Sequence, residues 1–292
     1  MARIAIVTDS TAYLPRRFKD QYQVEVVSLV VNFEGVSFPE EEIYGNYDHF
    51  YARLSKASSL PTTSQPSIGD FLQVYERIGA SADSIISIHI TEGISGTVKA
   101  ALAAAQMLPG LDITVVDSRK TSIGLYMVVE AAARAIAAGL GRDEVLSIVN
   151  YVVEHSLVLF TLDTLEYLRR GGRIGDAAAL LGNLLQIKPI LFFNPLKNNI
   201  IDLYDKVRTR ERALRRMLEE MQKMGADIKV YVAHVSDEAT GQDLVARVRA
   251  IYPHLTPELC PQGPVIGTHG GAGTVGIGFY PLTPQIAKLF AV

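Results

Sequence analysis

The chain has 292 residues, 48% apolar and 20% charged, with a formal net charge of -3 and a pI near 6.1. This balance supports a sizeable soluble core with room for an apolar pocket, and it argues against nucleic acid as a partner, because phosphate neutralisation demands a basic stripe. The single cysteine, Cys260, excludes an internal disulfide and a multi-thiolate metal site, fits a reducing, cytoplasmic setting and reads as a small buried hydrophobe.

Arg3–Thr8 opens the chain as a β-branched run and meets the charge of Asp9 too soon for a signal-peptide core. Val24–Asn32, Ser84–His89 and Ile113–Asp117 follow as further strands of the kind buried on both faces. Helical spacing predicts helices over Ser67–Ile78, Ser95–Met107 and Ser122–Ala138 between them, which makes the first half a parallel sheet with flanking helices. After a helix over Asp143–Glu154 the pattern changes. Strands are expected at Leu157–Leu162, Pro189–Phe193, Ile200–Val207, Lys229–Val235 and Thr274–Phe279, with helices at Asp163–Arg170, Asp176–Leu185, Arg210–Met224 and Asp237–Tyr252. The fold class is α/β: two packed α/β domains, residues 1–156 with a parallel sheet and 157–292 with a mixed sheet. No apolar run reaches the ~20 residues needed to span a bilayer.

Four segments carry candidate chemistry. Pro61–Ser67 is a hydroxyl-rich stretch held extended by two prolines, either local backbone satisfaction or an anion seat. Thr91–Thr97 joins a strand to a helix through glycines, a geometry that presents amides to an anion; it has no Walker lysine and fails the nucleophile-elbow pattern at its last glycine. Gly263–Gly276 contains G-x-G-x-x-G at Gly271, Gly273 and Gly276, but a strand follows where a dinucleotide fold needs a helix. What survives there is a glycine-flanked histidine, His269, which looks the most exposed of the six; the other five read as structural. Leu165–Ile174 ends a helix with Arg169, Arg170 and Gly171, leaving Arg173 unexplained, and Lys206, Arg208, Arg210 and Arg212 form a second basic run. Such patches suit a protein partner, a phosphate or transient contact with an anionic membrane surface. Asp9 and Asp117 both end strands and are expected to cap turns rather than share an acidic site.

With Thr8-Asp9-Ser10-Thr11, Thr63-Ser64-Gln65-Pro66-Ser67, Ser95-Gly96-Thr97, Val116-Asp117-Ser118, the Leu168–Ile174 run and the Gly267–Gly273 run in this order, the chain resembles the DegV family over essentially its whole length. The resemblance implies a fatty-acid-binding protein rather than an enzyme, with no cofactor, whose ligand is a long-chain acid such as palmitate, stearate or oleate. It also implies a possible role as the acyl-carrying subunit of a bacterial fatty acid kinase, with a separate ATP-binding kinase subunit as partner.

By that resemblance Thr63, Ser64, Ser95, Gly96, Thr97, His269 and Gly270 form the carboxylate site, and Arg170, Arg173 and Arg208 face the kinase or assist the phosphate. Leu159, Leu180, Leu184, Ile187, Ile190 and Phe192 are the expected tail lining. The rival expectations are an enzyme acting on a small carbonyl or phosphorylated substrate, with His269 as base or covalent anchor, and a dinucleotide site at the glycines.

Overall fold

The computed structural model describes residues 3–57, 59–180 and 187–291. In chain order, strand β1 (Ile4–Asp9) leads to helix α1 (Arg16–Tyr22), β2 (Glu25–Val27), β3 (Val30–Phe33), β4 (Val36–Pro39), α2 (Asp48–Leu54) and β5 (Thr62–Ser64). Helix α3 (Ile68–Gly79), β6 (Ser84–His89), α4 (Thr97–Gln106), β7 (Ile113–Asp117), α5 (Ile123–Ala137) and α6 (Arg142–His155) complete the first half. Then come β8 (Leu157–Thr161), α7 (Glu166–Arg170), β9 (Lys188–Asn194), β10 (Ile200–Val207), α8 (Arg210–Lys223), β11 (Ile228–His234) and α9 (Glu238–Ile251). Strand β12 (Glu258–Pro261), α10 (Pro264–Gly270), β13 (Val275–Pro281) and α11 (Pro284–Phe290) close the chain.

Strands β2-β1-β6-β7 form a parallel four-stranded sheet, and β10-β9-β8-β13-β11-β12 a mixed six-stranded one. The α/β class with a parallel and a mixed sheet is therefore the observed one. Helix α5 explains how the sheets meet. Its alanine-rich sequence is apolar nearly all round, so no face is suited to water, and it packs against strands of both sheets as their shared core element.

Three expectations need correction. Val24–Asn32 is not one strand. It breaks at Ser28, whose hydroxyl receives the Glu41 N–H (3.1 Å), and β3 joins β4 and β5 in a separate antiparallel sheet of order β4-β3-β5. Pro61–Ser67 contributes β5 to that sheet, with Ser67 capping α3 by a reciprocal bond with Asp70. Within the glycine-rich run Pro264–Gly270 form a helix, α10, which periodicity did not predict; the strand expected after it is β13. Of the expected helix Asp176–Leu185, a 3-10 turn occupies Gly175–Leu180, and the rest lies outside the described residues.

The small sheet and α2 belong to the first half of the chain yet clamp α10 from the second. Glu40, 1% exposed, accepts from the Val265 N–H (2.7 Å) and from Tyr13 Oη–H (2.7 Å), while Tyr13 in turn accepts from Ile266 N–H (3.1 Å). Tyr51 donates between the Gln262 and Gly263 carbonyls (2.7 and 2.9 Å). Among the described residues no helix is long and apolar enough to cross a membrane.

Candidate functional site

A cavity of ≈ 120 Å³ lies between the carboxyl ends of the parallel strands and one face of the mixed sheet. Its wall is mostly apolar: Leu29, Ile90 and Ile123 from the first half, and Val158, Phe160 and Phe193 from the second. Strands of open α/β sheets meet ligands at their carboxyl ends, and here the mixed sheet supplies the opposite wall.

Thr63, Ser95, His269, Gly270 and Arg173 all line this cavity. Pairing of Val31 with Thr63 sets the parity of β5, so Thr63 turns inward while Thr62 and Ser64 are exposed. Thr63 Oγ1 lies 2.7 Å from His269 Nε2. Ser95 occupies the turn after β6; its N–H bonds the Thr91 carbonyl (3.2 Å) and its hydroxyl pairs with that of fully buried Thr97 (2.8 Å). The Arg173 guanidinium is held by the carbonyls of Ile94 (3.2 Å, from Nε) and Gly171 (2.7 Å, from Nη1), which keeps it beside Ser95 and His269.

Burial, reinforced by the positive charge of Arg173, pushes the His269 imidazole down to about 4, so it is neutral near pH 7. Among the described residues Nδ1 has no hydrogen-bond partner. With Nε2–H donating to Thr63, the threonine proton is free to donate onward. His269 is thus largely enclosed, not exposed as the glycines around it implied.

The other candidates sort by geometry. Ser64 faces outward against Asn32 (3.3 Å), and Gly96 and Thr97 support Ser95 from behind without lining the cavity. Arg170 is exposed and paired with Glu166, and Arg208 is exposed, so neither joins the cavity. Arg210 is bound by Asp163 (2.7 Å) and Asp237, which removes it from any free basic patch.

None of the five described residues expected to line the tail borders this cavity. Leu159 and Ile190 are fully buried in the core under α8, and Phe192 packs against that same core. Their neighbours Val158, Phe160 and Phe193 face the cavity instead, because alternate residues of a strand point to opposite faces. Leu180 and Ile187 pack in or against the larger core without lining the cavity, and Leu184 lies outside the described residues.

Sequence reasoning missed Gln65, Thr121, Ser122, His234 and Gln262, all on the wall. Ser122 carried the one readable signal, its place just after a strand and ahead of a helix; it adopts φ 59 and ψ -135.

Ser87, His89 and Asp9 form a hydrogen-bonded chain (2.6 Å and 3.1 Å) with the outline of a nucleophilic triad, but all three are 0% exposed and lie off this cavity. Asp9 also caps its own turn through the Thr11 N–H (3.1 Å), and Asp117 does so through Arg119 (2.6 Å). Among the described residues no group of His, Cys, Asp and Glu is placed to hold a metal.

The family model described as "Uncharacterised protein, DegV family" matches residues 3–282. The chain belongs to the DegV family. A DegV domain-containing protein of Listeria monocytogenes is 39% identical over 279 residues, 94% of this chain and 97% of that one. DegV of Bacillus subtilis, a fatty acid binding protein, superimposes with TM-score 0.88 at 35% identity, over 97% of this chain and 100% of its own. A DegV family protein of Thermus thermophilus, also fatty acid binding, gives TM-score 0.84 at 33% identity, over 96% and 100%.

Proposed function

We propose that this DegV chain binds a long-chain fatty acid, with the carboxylate at Thr63, Ser95, His269 and Arg173 and the tail in the apolar cavity. The observation that carries the proposal is the joining of those polar groups to a wall of Val158, Phe160, Phe193 and Ile123 in one cavity. A buried carboxylate needs several donors, and two hydroxyls and a guanidinium supply them. Burial of about 0.8 kcal/mol per methylene gives a sixteen-carbon chain roughly 10 kcal/mol before ordering costs.

The depressed basicity of His269 weighs against the rival in which it serves as general base, since a base near 4 is poorly matched to proton abstraction at neutral pH. Its role in this proposal is to orient Thr63.

The further proposal is presentation of the acid to a separate kinase subunit for conversion to acyl phosphate, with exchange of the ligand at a membrane surface. Its support is that Ile94, Ser95 and Arg173 also border a more open depression walled by Gly93, Gly96, Gly172 and Gly175. A carboxylate at Ser95 and Arg173 would be approachable from that side, and the small glycines leave room for a phosphoryl donor.

Native mass spectrometry of the freshly purified full chain, with extraction of its lipid, tests the binding proposal. A fatty acid adduct lost on delipidation and restored by palmitate is expected. A clean unliganded mass that takes up neither palmitate nor oleate defeats it.

A further inference from the structure

Helix α5 begins on the cavity wall, and its first turn has unpaired donors. Gly124 N–H takes the Thr121 carbonyl (3.0 Å) and Tyr126 N–H the Ser122 carbonyl (3.0 Å), but the N–H groups of Ile123 and Leu125 have no acceptor among the described residues. No acidic side chain lies in that turn to offset the positive end of a fifteen-residue helix.

Ser122 stands directly before the helix, 9% exposed and on the cavity wall. Its hydroxyl caps no amide and has no hydrogen-bond partner among the described residues. Unlike the Thr121 hydroxyl beside it, the Ser122 hydroxyl is not closed over. Its backbone, at φ 59 and ψ -135, is one in which glycine is at ease and serine strained, a cost that a bond to a ligand would offset.

The position adjoins the head of the ligand. Strands β6 and β7 are neighbours, and the turns that follow them are tied at Thr91, whose N–H bonds the Lys120 carbonyl (2.8 Å) and whose carbonyl takes Ser95 N–H (3.2 Å). The charged side chains nearby are engaged elsewhere and line no part of this cavity: Lys120 Nζ donates to the Val153 carbonyl (2.7 Å), and Asp117 accepts from the Glu92 and Arg119 amides (3.3 and 2.6 Å).

We propose that Ser122 and the amino end of α5 form a second seat for the fatty acid carboxylate, with the Ser122 hydroxyl donating to one of its oxygens. This rests on the fatty-acid assignment and deepens it. The head is then held between the starts of two helices, α4 behind Ser95 and α5 behind Ser122. An ionised carboxylate accepts about four hydrogen bonds, so Thr63, Ser95 and Arg173 leave room for a further donor. Both the helix end and the charge-assisted bond act on the anion, so an uncharged head gains little from them.

The test is loading of the delipidated full chain, wild type and Ser122→Gly, with palmitate and with 1-hexadecanol, read by native mass spectrometry. Glycine suits this backbone, so the fold is expected to be kept. Palmitate retention should fall about tenfold in the variant, the scale of one charge-assisted hydrogen bond, with hexadecanol unchanged within about twofold. Undiminished palmitate retention overturns the inference while fatty acid binding stands. A parallel loss of hexadecanol also overturns it, since it would reflect a general change of the wall. If wild type takes up no palmitate, the fatty-acid assignment falls and the inference with it. Should the variant not fold or hexadecanol not load, the Ile123 amide of ¹⁵N-labelled wild type decides. Palmitate should move that amide proton downfield, and an unmoved resonance overturns the inference.

Discussion

The His269 imidazole rests against the α-carbon of Gly171, where an added β-carbon would stand 2.8 Å from Cε1 and closer still to Nδ1. The Tyr167 carbonyl stands 3.1 Å from the same position, so an added β-carbon is crowded by fixed backbone as well as by the ring. A glycine read from the sequence as a helix ending is also the floor under the histidine.

Gly171→Ala should therefore displace His269 from Thr63. Fatty acid retention is expected to fall about tenfold, a loss of one hydrogen-bonded contact, with the fold kept. Circular dichroism alongside palmitate titration checks both halves; unaltered retention would show that the ring position does not govern binding.

Two perturbed acid–base groups around α10 give opposite pH slopes. His269 is held at about 4 against the usual 6.5, so the unfolded chain binds the extra proton between those values. Its contribution is full above pH 6.5 and is lost as the pH falls toward 4, by up to about 3 kcal/mol. Burial raises Glu40 from 4.5 to about 7, against the pull of its bonds from Tyr13 and Val265. Its contribution is full below pH 4.5 and lost as the pH rises through 7, by a similar about 3 kcal/mol.

Urea unfolding between pH 5 and 8 should expose each slope when the other is removed. Glu40→Gln keeps an acceptor for Val265 N–H and should be more stable than wild type at pH 8. His269→Gln should lose the acid-side decline. A Glu40→Gln curve parallel to wild type from pH 5 to 8 would mean that the carboxyl does not titrate there.

The arginines should separate by function. Arg173→Gln removes the guanidinium beside Ser95 and His269 and is expected to weaken palmitate retention by about 2 kcal/mol, the scale of a charge-assisted hydrogen bond, whereas Arg170→Ala should leave it within about twofold. Retention measured by isothermal titration decides; equal effects of the two would remove Arg173 from the carboxylate site.

Adjacent residues of β8 should also behave differently. Phe160→Ala enlarges the cavity and should shift preference toward longer or bulkier acyl chains, whereas Leu159→Ala should cost about 2–5 kcal/mol of stability with chain preference unchanged. Chemical denaturation and a fatty acid chain-length series distinguish these outcomes.

Much of the site was legible because it sits where chain chemistry is local. Hydroxyls beside prolines at Thr63, a glycine turn between strand and helix at Ser95, and glycines around His269 are marked by residue type, and their order along the chain identified the family. Element positions followed from periodicity and caps: Ile200–Val207 and Ser84–His89 need no tertiary partner to be recognised as strands.

Which side of a strand faces a cavity is a different kind of question. Leu157 to Thr161 is apolar on both faces, so alternation offers no cue separating Leu159, under α8, from Val158 and Phe160 on the cavity. Only the placement of α5 and the cavity on one face and α8 on the other makes that distinction. The same holds for Arg170 and Arg173: three residues apart in a basic run, they part company because Gly171 and Ile94 offer carbonyls to one guanidinium and Glu166 a carboxylate to the other. Residue chemistry states what can bind, and the approach of distant backbones selects which of those groups does.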